Sequence, residues 1–348
     1  MTLTLYVDTS RWYAAMAAVR DAQPGLVPVA KGNGYGFGIE RLAEQATRLG
    51  ADTIAVGTYA EVQAVRDFPG SVLVLSPWRP FDDNVTYDDR TIHTVGRLSD
   101  LTGLADRDDR PRVVLERLTS MRRHGFSARD LRAAGTMIEE RRDTVRVEGV
   151  ALHLPLAQRS HLGEVERLMT DVVAAGLPTH RVYVSHLRDE ELATLRGEYP
   201  DFEFRPRIGT RLWLGDRGAL RVRATVLDVH PVERGDVFGY RGRTAPRNGA
   251  IVVVSGGTAN GIGLEAPTGG ATLKDRAARI AKGGLDAAGF VRSPYLIGGK
   301  QRLFAEPPHM QASMLFLPSG APMPEVGDEV DVQVRFTATS FDETVLTA

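Results

Sequence analysis

The sequence predicts an α/β fold, a (β/α)8 barrel followed by a C-terminal all-β domain. Short apolar runs alternate with amphipathic segments through the first part of the chain. After Gly215 the pattern changes to β-branched stretches separated by Gly, Pro and Asp. Strands that alternate with helical segments pair in parallel through crossover helices. Eight such units over roughly 200 residues indicate a closed, TIM-like barrel.

The apolar runs have the length of buried strands. They occupy residues 26–30, 53–57, 72–76, 91–95, 112–116, 147–153, 181–186 and 202–207. The connection between residues 77 and 90 shows no convincing helical pattern and is the weakest point of the eightfold count.

Amphipathic segments between these runs predict the crossover helices. One covers residues 39–49 and stops at Gly50, a residue typical of helix C-termini. Another begins near residue 161 and stops at Gly176. The apolar positions of the first segment recur at helical spacing; they are Ile39, Leu42, Ala43, Ala46 and Leu49.

We expect the barrel domain to occupy residues 9–212 and the β domain residues 213–348. Stretches such as "LRVRATVLDVHPV" and "EVGDEVDVQVRF" combine β-branched residues with turn residues, which is typical of short strands. The N-terminal segment 1–8 alternates like a strand and is expected to join the second domain.

Net charge and cysteine content limit the kinds of binding partner and site that we expect. A formal net charge of -1 provides no basic surface for nucleic acid or an anionic membrane, so a small molecule is the expected partner. The chain has no cysteine, which excludes disulfides, thiolate zinc sites and cysteine nucleophiles. Its N-terminal stretch lacks the basic region and apolar run of a secretory signal, and we expect a cytoplasmic protein.

Reactive side chains fall near the predicted carboxyl ends of several barrel strands, where barrels of this type carry their chemistry. Taken singly, each is a residue type that is commonly solvated or packed without a function. Their occurrence together at one mouth indicates a functional site. They are Lys31, Glu116, Arg123, His153, Ser185, His186 and Arg207.

The stretch "VPVAKGNGYGFG" contains Lys31, Asn33 and Tyr35 in the register of the motif AVVKANAYGHG. Further stretches match other motifs: "LTSMRRHGF" with TGMxRLG, "VALHLPLA" with THFA, "RPRIGTRLWLG" with RxGIxxYG, and "AEPPHMQASMLFLP" with GRVCMDQxMVDL. In these features the chain resembles the alanine racemases, a family of pyridoxal phosphate enzymes. That family also has a barrel followed by a β domain.

The resemblance implies that Lys31 binds the aldehyde of pyridoxal 5'-phosphate, and that the glycines after it let the backbone approach closely. It also implies that Tyr35, Ser185 and the backbone amides of Gly209 and Thr210 bind the phosphate. The sequence has no GxGxxG or Walker loop to do so.

The same resemblance assigns Arg207 to the pyridine nitrogen, with His153 beside it. Arginine cannot accept a proton, so the ring stays neutral, which favours reversible proton exchange at Cα. Arg123 and Met310 are expected at the substrate. Glu116 takes the place of a carbamylated lysine that orients this arginine in many members, and it supplies the same negative charge directly.

The sequence departs from the family at the second base. Two-base racemisation needs Lys31 on one face of Cα and, in the family, a tyrosine of the segment GYADG from a second chain on the other. The corresponding "SGGTANGIG" has Thr258 there, and a threonine hydroxyl is a poor base at neutral pH. His309, which replaces a cysteine of the family motif, is a candidate substitute, and Tyr240 and Tyr295 are weaker ones.

Three functions remain open. The first is a racemase acting on a small amino acid such as alanine, in a head-to-tail homodimer. The second is a one-base enzyme of transaminase, aldolase or decarboxylase type, whose basic segment 274–282, in the long loop 265–294, binds an acidic substrate. The third is a non-catalytic protein that binds pyridoxal phosphate.

Overall fold

Two units make up the chain in the computed structural model, which describes residues 2–156, 160–264 and 291–348. Tyr13–Gly34 and Gly38–Gly215 form one compact unit, which we call the barrel unit. Met1–Trp12, Tyr35–Phe37 and Asp216–Ala348 form the other, which we call the β unit.

Strand β1 covers Leu3–Asp8, and eight strands build the barrel unit. These are β2 (Val27–Pro28), β3 (Thr53–Val56), β4 (Ser71–Pro77), β5 (Thr91–Val95), β6 (Arg112–Arg117), β7 (Arg146–His153), β8 (Arg181–Ser185) and β9 (Glu203–Ile208). Their order in the sheet is β2-β9-β8-β7-β6-β5-β4-β3. A parallel bridge between Val29 and Ala55 joins the two ends of this order and closes the barrel. The predicted fold class is therefore confirmed.

Helices cross between most of these strands. They are α1 (Thr9–Ala22), α2 (Ile39–Arg48), α3 (Leu98–Ala105), α4 (Ala128–Glu140), α5 (Leu162–Ala174), α6 (Asp189–Glu198) and α7 (Thr210–Trp213). A 3-10 segment, Tyr59–Val65, takes the place of a helix between β3 and β4. Residues 78–90, between β4 and β5, form a loop without a helix, as the sequence predicts.

The two clearest crossover helices bury the predicted faces. In α2 the residues Ile39, Leu42, Ala43 and Ala46 are buried, and Gly50 beyond its end adopts a φ of 72°. Only glycine adopts this left-handed conformation without strain, so the chain leaves the helix there. The buried side chains of α5 follow the same spacing; they are Val165, Leu168, Met169 and Val172.

Nine further strands occur among the described residues of the β unit: β10 (Leu220–Val232), β11 (Val237–Phe238), β12 (Arg243–Thr244), β13 (Gly249–Ser255), β14 (Arg292–Ile297), β15 (Lys300–Phe304), β16 (Ala312–Pro318), β17 (Glu329–Val332) and β18 (Glu343–Thr347). Within the described residues its main sheet has the order β13-β16-β15-β14-β17-β10-β1-β18, and β10 also pairs with β13. Strand β1 runs antiparallel to β10 and parallel to β18.

Apolar side chains fill the barrel interior, which leaves the strand ends as the place for polar groups. The buried cluster consists of Val27, Val29, Ala55, Leu73, Ile92, Val114, Ala151 and Tyr183. None of the helices in the described ranges combines the length and apolar composition needed to span a bilayer.

Close packing of α4 against the end of α5 depends on Gly135. A Cβ at this position would lie 1.9 Å from the carbonyl oxygen of Ala175. We expect Gly135→Ala to lower the free energy of unfolding by about 1–3 kcal/mol, because the helices must move apart. Urea denaturation followed by circular dichroism measures the change. Gly163→Ala on α5, with no atom within 4 Å of its Cβ, is the matched control and should not destabilise. Equal stability of the two variants would contradict this packing.

Candidate active site

Lys31 lies directly beyond the first barrel strand, at its carboxyl end. The backbone before it is fixed because Ala30 N donates to Ala55 O at 2.8 Å. The chain then turns back, and Gly34 N donates to Lys31 O at 3.1 Å. A Cβ on Gly34 would lie 2.7 Å from Ile39 N, so the turn requires glycine. Lys31 itself is exposed at the mouth.

The carboxylate of Glu61 holds the loop that carries Lys31. Its Oε1 accepts a hydrogen bond from Gly32 N at 2.8 Å, and its Oε2 accepts one from Gly57 N at 2.6 Å. Thr58 N adds a longer bond of 3.3 Å. Gly32 follows Lys31 and Gly57 follows β3, so a single carboxylate ties together the ends of two neighbouring strands.

Two arginines act on the amine of Lys31. Its pKa is lowered, first by partial burial of the ammonium in the concave mouth and then by Arg123 and Arg207, while Glu61 opposes the shift. A lower pKa increases the fraction of neutral, nucleophilic amine. Arg207 is buried, and its Nη2 donates to Leu152 O at 3.3 Å. Its Nε has no hydrogen-bond partner among the described residues.

Neutral histidines lie beside these cations. His153 Nδ1 is 2.7 Å from Ser185 Oγ, and the His186 ring packs edge-on against His153 at 5.3 Å. Burial, followed by the charges of Arg207 and Arg123, lowers the pKa of His153 to about 3. Burial also lowers the pKa of His186. Both imidazoles can therefore form hydrogen bonds at neutral pH without adding positive charge.

Glu116 is buried at the end of β6. The expected contact between Glu116 and Arg123 does not form. Its Oε2 lies 3.5 Å from His124 Nε2, and in the described part of the chain no direct ion pair joins it to Arg123. Burial raises the pKa of the Glu116 carboxyl, and Arg207 and Arg123 oppose this shift through space. The carboxylate thus acts on the arginine at longer range.

The residues predicted to bind phosphate lie at the ends of adjacent strands. Ser185 ends β8, while Gly209 and Thr210 follow β9 at the start of α7. The first N–H groups of a helix lack partners within it and are available to an acceptor. The placement is compatible with phosphate binding, which stays a prediction.

A second group of predicted residues comes together within the β unit. Thr258 N donates to His309 O at 2.8 Å, and Ala259 N donates to Met310 O at 2.9 Å. Gly257 makes this approach possible, because a Cβ there would lie 2.2 Å from His309 O. Thr258 and Met310 are both exposed.

His309 is oriented by a buried carboxylate. Its Nε2 lies 2.7 Å from Glu306 Oε1, and only 2% of Glu306 is exposed. Tyr240 packs edge-on against the imidazole with ring centroids 4.9 Å apart. A carboxylate only accepts hydrogen bonds, so in a neutral imidazole at this position Nε2 carries the proton and the lone pair is on Nδ1. An imidazole held in this way has the geometry of a general base.

The structure does not support Tyr295 as a base. Its side chain is fully buried, and its hydroxyl donates to the carbonyl oxygen of Gly256 at 2.8 Å. Burial raises the pKa of Tyr295.

Tyr35, which is predicted to bind the phosphate, is buried in the β unit with a φ of 55°. Its role in phosphate binding stays a prediction.

The basic segment 274–282 lies outside the described residues, as does most of the loop 265–294. Within the described ranges, no three His, Asp or Glu side chains cluster in a way that would hold a metal ion.

Sequence reasoning missed the two carboxylates that position the candidate bases. A signal for Glu61 was present in "TYAE", where Thr58 and a glutamate three residues later form a helix-capping pattern. Glu306 lies in "EPPH", a proline-rich loop to which no periodicity rule applies.

The opposing charges around Lys31 make a prediction about its titration. Glu61→Gln removes the anion that favours the ammonium, so the pKa of Lys31 should fall further below its ordinary value. Arg123→Gln should raise it. The pH dependence of Lys31 modification by an amine reagent, followed by peptide mass spectrometry on the unliganded chain, measures both. Glu44→Gln, an exposed change on α2, is the control. Shifts in the same direction for the first two variants would contradict the assignment.

Comparisons with known proteins agree with this architecture. Residues 7–186, more than half of the chain, match the family model of the alanine racemase N-terminal domain. The alanine racemase of Nitratidesulfovibrio vulgaris is 28% identical over 267 residues, which is 70% of this chain and 71% of that protein.

Solved structures share the fold over both units. The alanine racemase of Bartonella henselae, with covalently bound pyridoxal phosphate, has a TM-score of 0.74 at 16% identity and covers 100% of each chain. The histidine racemase of Leuconostoc mesenteroides has a TM-score of 0.69 at 16% identity and covers 99% of this chain and 98% of its own. With a matching family model, a closed barrel and a lysine at the end of its first strand, the chain belongs to the alanine racemase family.

Proposed function

We propose that this chain is a pyridoxal 5'-phosphate-dependent racemase that moves the Cα proton of a small amino acid such as alanine. The observation that carries the proposal is Lys31, whose amine sits at the barrel mouth with a pKa lowered by burial and by Arg123 and Arg207. An amine in this state can both bind an aldehyde and take up a proton at neutral pH.

Pyridoxal 5'-phosphate is the cofactor, and the residues present fit it. Lys31 provides the amine that binds its aldehyde. The buried Nε of Arg207, which has no partner among the described residues, is a donor suited to an acceptor such as the ring nitrogen. Ser185 and the amides of Gly209 and Thr210 would hold the phosphate. When bound, the cofactor stabilises the negative charge that develops at Cα as its proton leaves.

The chain's own groups then control the proton. Lys31 Nζ, released from the aldehyde when the substrate amine takes its place there, would take the proton from one face of Cα or return it to that face. Arg123 is exposed in the mouth and would hold the substrate carboxylate, which fixes the orientation of the Cα–H bond. Arg207 would donate a hydrogen bond to the cofactor ring and cannot accept a proton, so the charge would remain available for reprotonation at Cα.

His309 is the base we assign to the opposite face. Glu306 fixes its orientation and leaves the lone pair of Nδ1 available, whereas the hydroxyl of Thr258 is a poor base. A head-to-tail homodimer, in which a second copy supplies its β unit to the site, would bring His309 to the substrate. The presence of Thr258 in place of the family tyrosine also keeps a one-base reaction as the second candidate.

Reduction with borohydride tests the role of Lys31. We expect the reduced, cofactor-loaded protein to carry the cofactor irreversibly on Lys31. Lys31→Ala should lose the label and lower the rate of Cα proton exchange by about 10³-fold or more. Lys300→Ala, at an exposed position of β15, is the matched control and should behave like the wild type. No cofactor absorbance after reconstitution, or a label on another lysine, would rule the proposal out.

Solvent deuterium exchange at Cα of L-alanine and D-alanine tests the second base. The wild type should exchange both enantiomers. His309→Gln should slow exchange of one enantiomer by about 10²- to 10⁴-fold, because only one face loses its base. His230→Gln is the control: this exposed imidazole also lies near a carboxylate, Asp228 Oδ2, at 3.3 Å in the same unit.

Exchange of a single enantiomer by the wild type would favour the one-base reaction instead. Undiminished exchange of both by His309→Gln would exclude His309. Thr258→Val would then show whether the hydroxyl at that position takes part.

A further inference from the structure

A second cleft opens at the carboxyl ends of β4, β5 and β6, beside the mouth that carries Lys31. Its volume is about 440 Å³. The loops after β5 and β6 meet at its base, where a Cβ on Gly96 would lie 3.0 Å from Gly125 N. Its lining residues are Arg79, Gly96, Arg97, Leu98, Arg123, His124, Gly125 and Asp130.

One arginine of the cleft is fixed by a buried carboxylate. Arg79 Nη1 donates to Asp100 Oδ2 at 2.6 Å and to Trp78 O at 2.9 Å. Asp100 is 5% exposed, so this pair is shielded from solvent and its geometry is well defined. Nε and Nη2 of Arg79 form no hydrogen bond with any described residue and remain available as donors.

The other two arginines have no counterion in the described part of the chain. Arg97, which precedes α3, and Arg123 are both exposed, and no ion pair or hydrogen bond engages either guanidinium there. Asp130 supplies one negative charge to the lining, and its Oδ2 accepts a hydrogen bond from Ser127 Oγ at 2.8 Å. Asp100 pairs with Arg79, and the buried Glu116 lies 3.5 Å from His124 Nε2, whereas Arg97 and Arg123 have no direct ion pair in the part of the chain that the structure describes.

His124 is half-buried in the wall of the cleft among its arginines. Burial, followed by Arg123, Arg79 and Arg207, lowers the pKa of His124 to about 4, although Glu116 Oε2 is 3.5 Å away. After burial, the charges that lower this pKa are those of the arginines. Arg123 lines the cleft, and its charge also lowers the pKa of Lys31.

A monocarboxylic amino acid needs only one guanidinium for its carboxylate. Three guanidiniums in one small cleft repel one another, and this cost is offset when a second anion binds between them. Arg97 and the free edge of Arg79 are suited to a second carboxylate, since charge-assisted bonds from arginine recognise that group well.

We propose that this cleft binds the side-chain carboxylate of a dicarboxylic amino-acid substrate while Arg123 holds its α-carboxylate. The assignment rests on the proposed racemase function and specifies its substrate class. Arg97 and Arg79 are then specificity-determining residues, and the site accepts aspartate or glutamate in addition to alanine.

Binding and exchange together test this assignment on the cofactor-loaded protein. Calorimetry should show that glutarate, a dicarboxylate without an amino group, binds more tightly than butyrate. Arg97→Gln should weaken glutarate binding about tenfold and lower the kcat/KM of Cα exchange for glutamate, relative to that for alanine, by a similar factor. Arg167→Gln, an exposed change on α5, should alter neither ratio. Arg97→Lys, which keeps the charge, should recover part of the loss.

Several outcomes would overturn the assignment. Exchange of alanine without exchange of aspartate or glutamate would leave the racemase function standing and exclude the dicarboxylic substrate. Inorganic phosphate that displaces glutarate, in a protein that turns over no dicarboxylic amino acid, would identify a site for a free anion instead. No exchange with any amino acid, in a chain that also fails to bind the cofactor, would be a failure of the proposed function itself.

Discussion

Closure of the parallel sheet is the constraint on which the candidate site depends. The bridge between Val29 and Ala55 sets β2 beside β3, while β2 also pairs with β9 at its other edge. The strand ends consequently form one ring, and charges distant in sequence act on one another. Lys31, after the first strand, is influenced by Arg207, on the last. It is the pairing of β2 with β9, in which Val27 lies opposite Arg207, that brings the first and last strands of the barrel together.

Within that ring, opposing charges determine how readily Lys31 holds its proton. Arg123 and Arg207 disfavour the ammonium of Lys31, and Glu61 favours it while fixing the backbone on either side. The same carboxylate therefore has a structural and an electrostatic role. In the β unit, Glu306 orients His309 through a hydrogen bond to Nε2. Each candidate base is thus positioned by a carboxylate, Lys31 through its loop backbone and His309 through its ring.

Sequence periodicity was sufficient for the barrel, because buried strands and crossover helices leave regular apolar patterns. It also located Lys31, His153, Ser185 and Arg207 at strand ends, since parallel strands place their carboxyl ends together. Periodicity did not reveal Glu61: its capping pattern with Thr58 is local, but its contact with Gly32 N comes from a second loop. The family resemblance predicted a Glu116 contact with Arg123 that the structure does not show. Such contacts depend on loop paths, which no local pattern encodes.

The neutral histidines of the barrel couple its stability to acidity. His153 and His124 have pKa values of about 3 and about 4 in the fold, against an ordinary value of 6.5. Above pH 6.5 neither the native nor the denatured chain protonates them. Below pH 6.5 these histidines are protonated in the denatured chain but stay neutral in the native barrel until the pH reaches their lowered pKa values. Unfolding therefore becomes progressively more favourable as the pH falls from 6.5 towards those values. Acidification therefore destabilises the barrel that keeps these imidazoles uncharged.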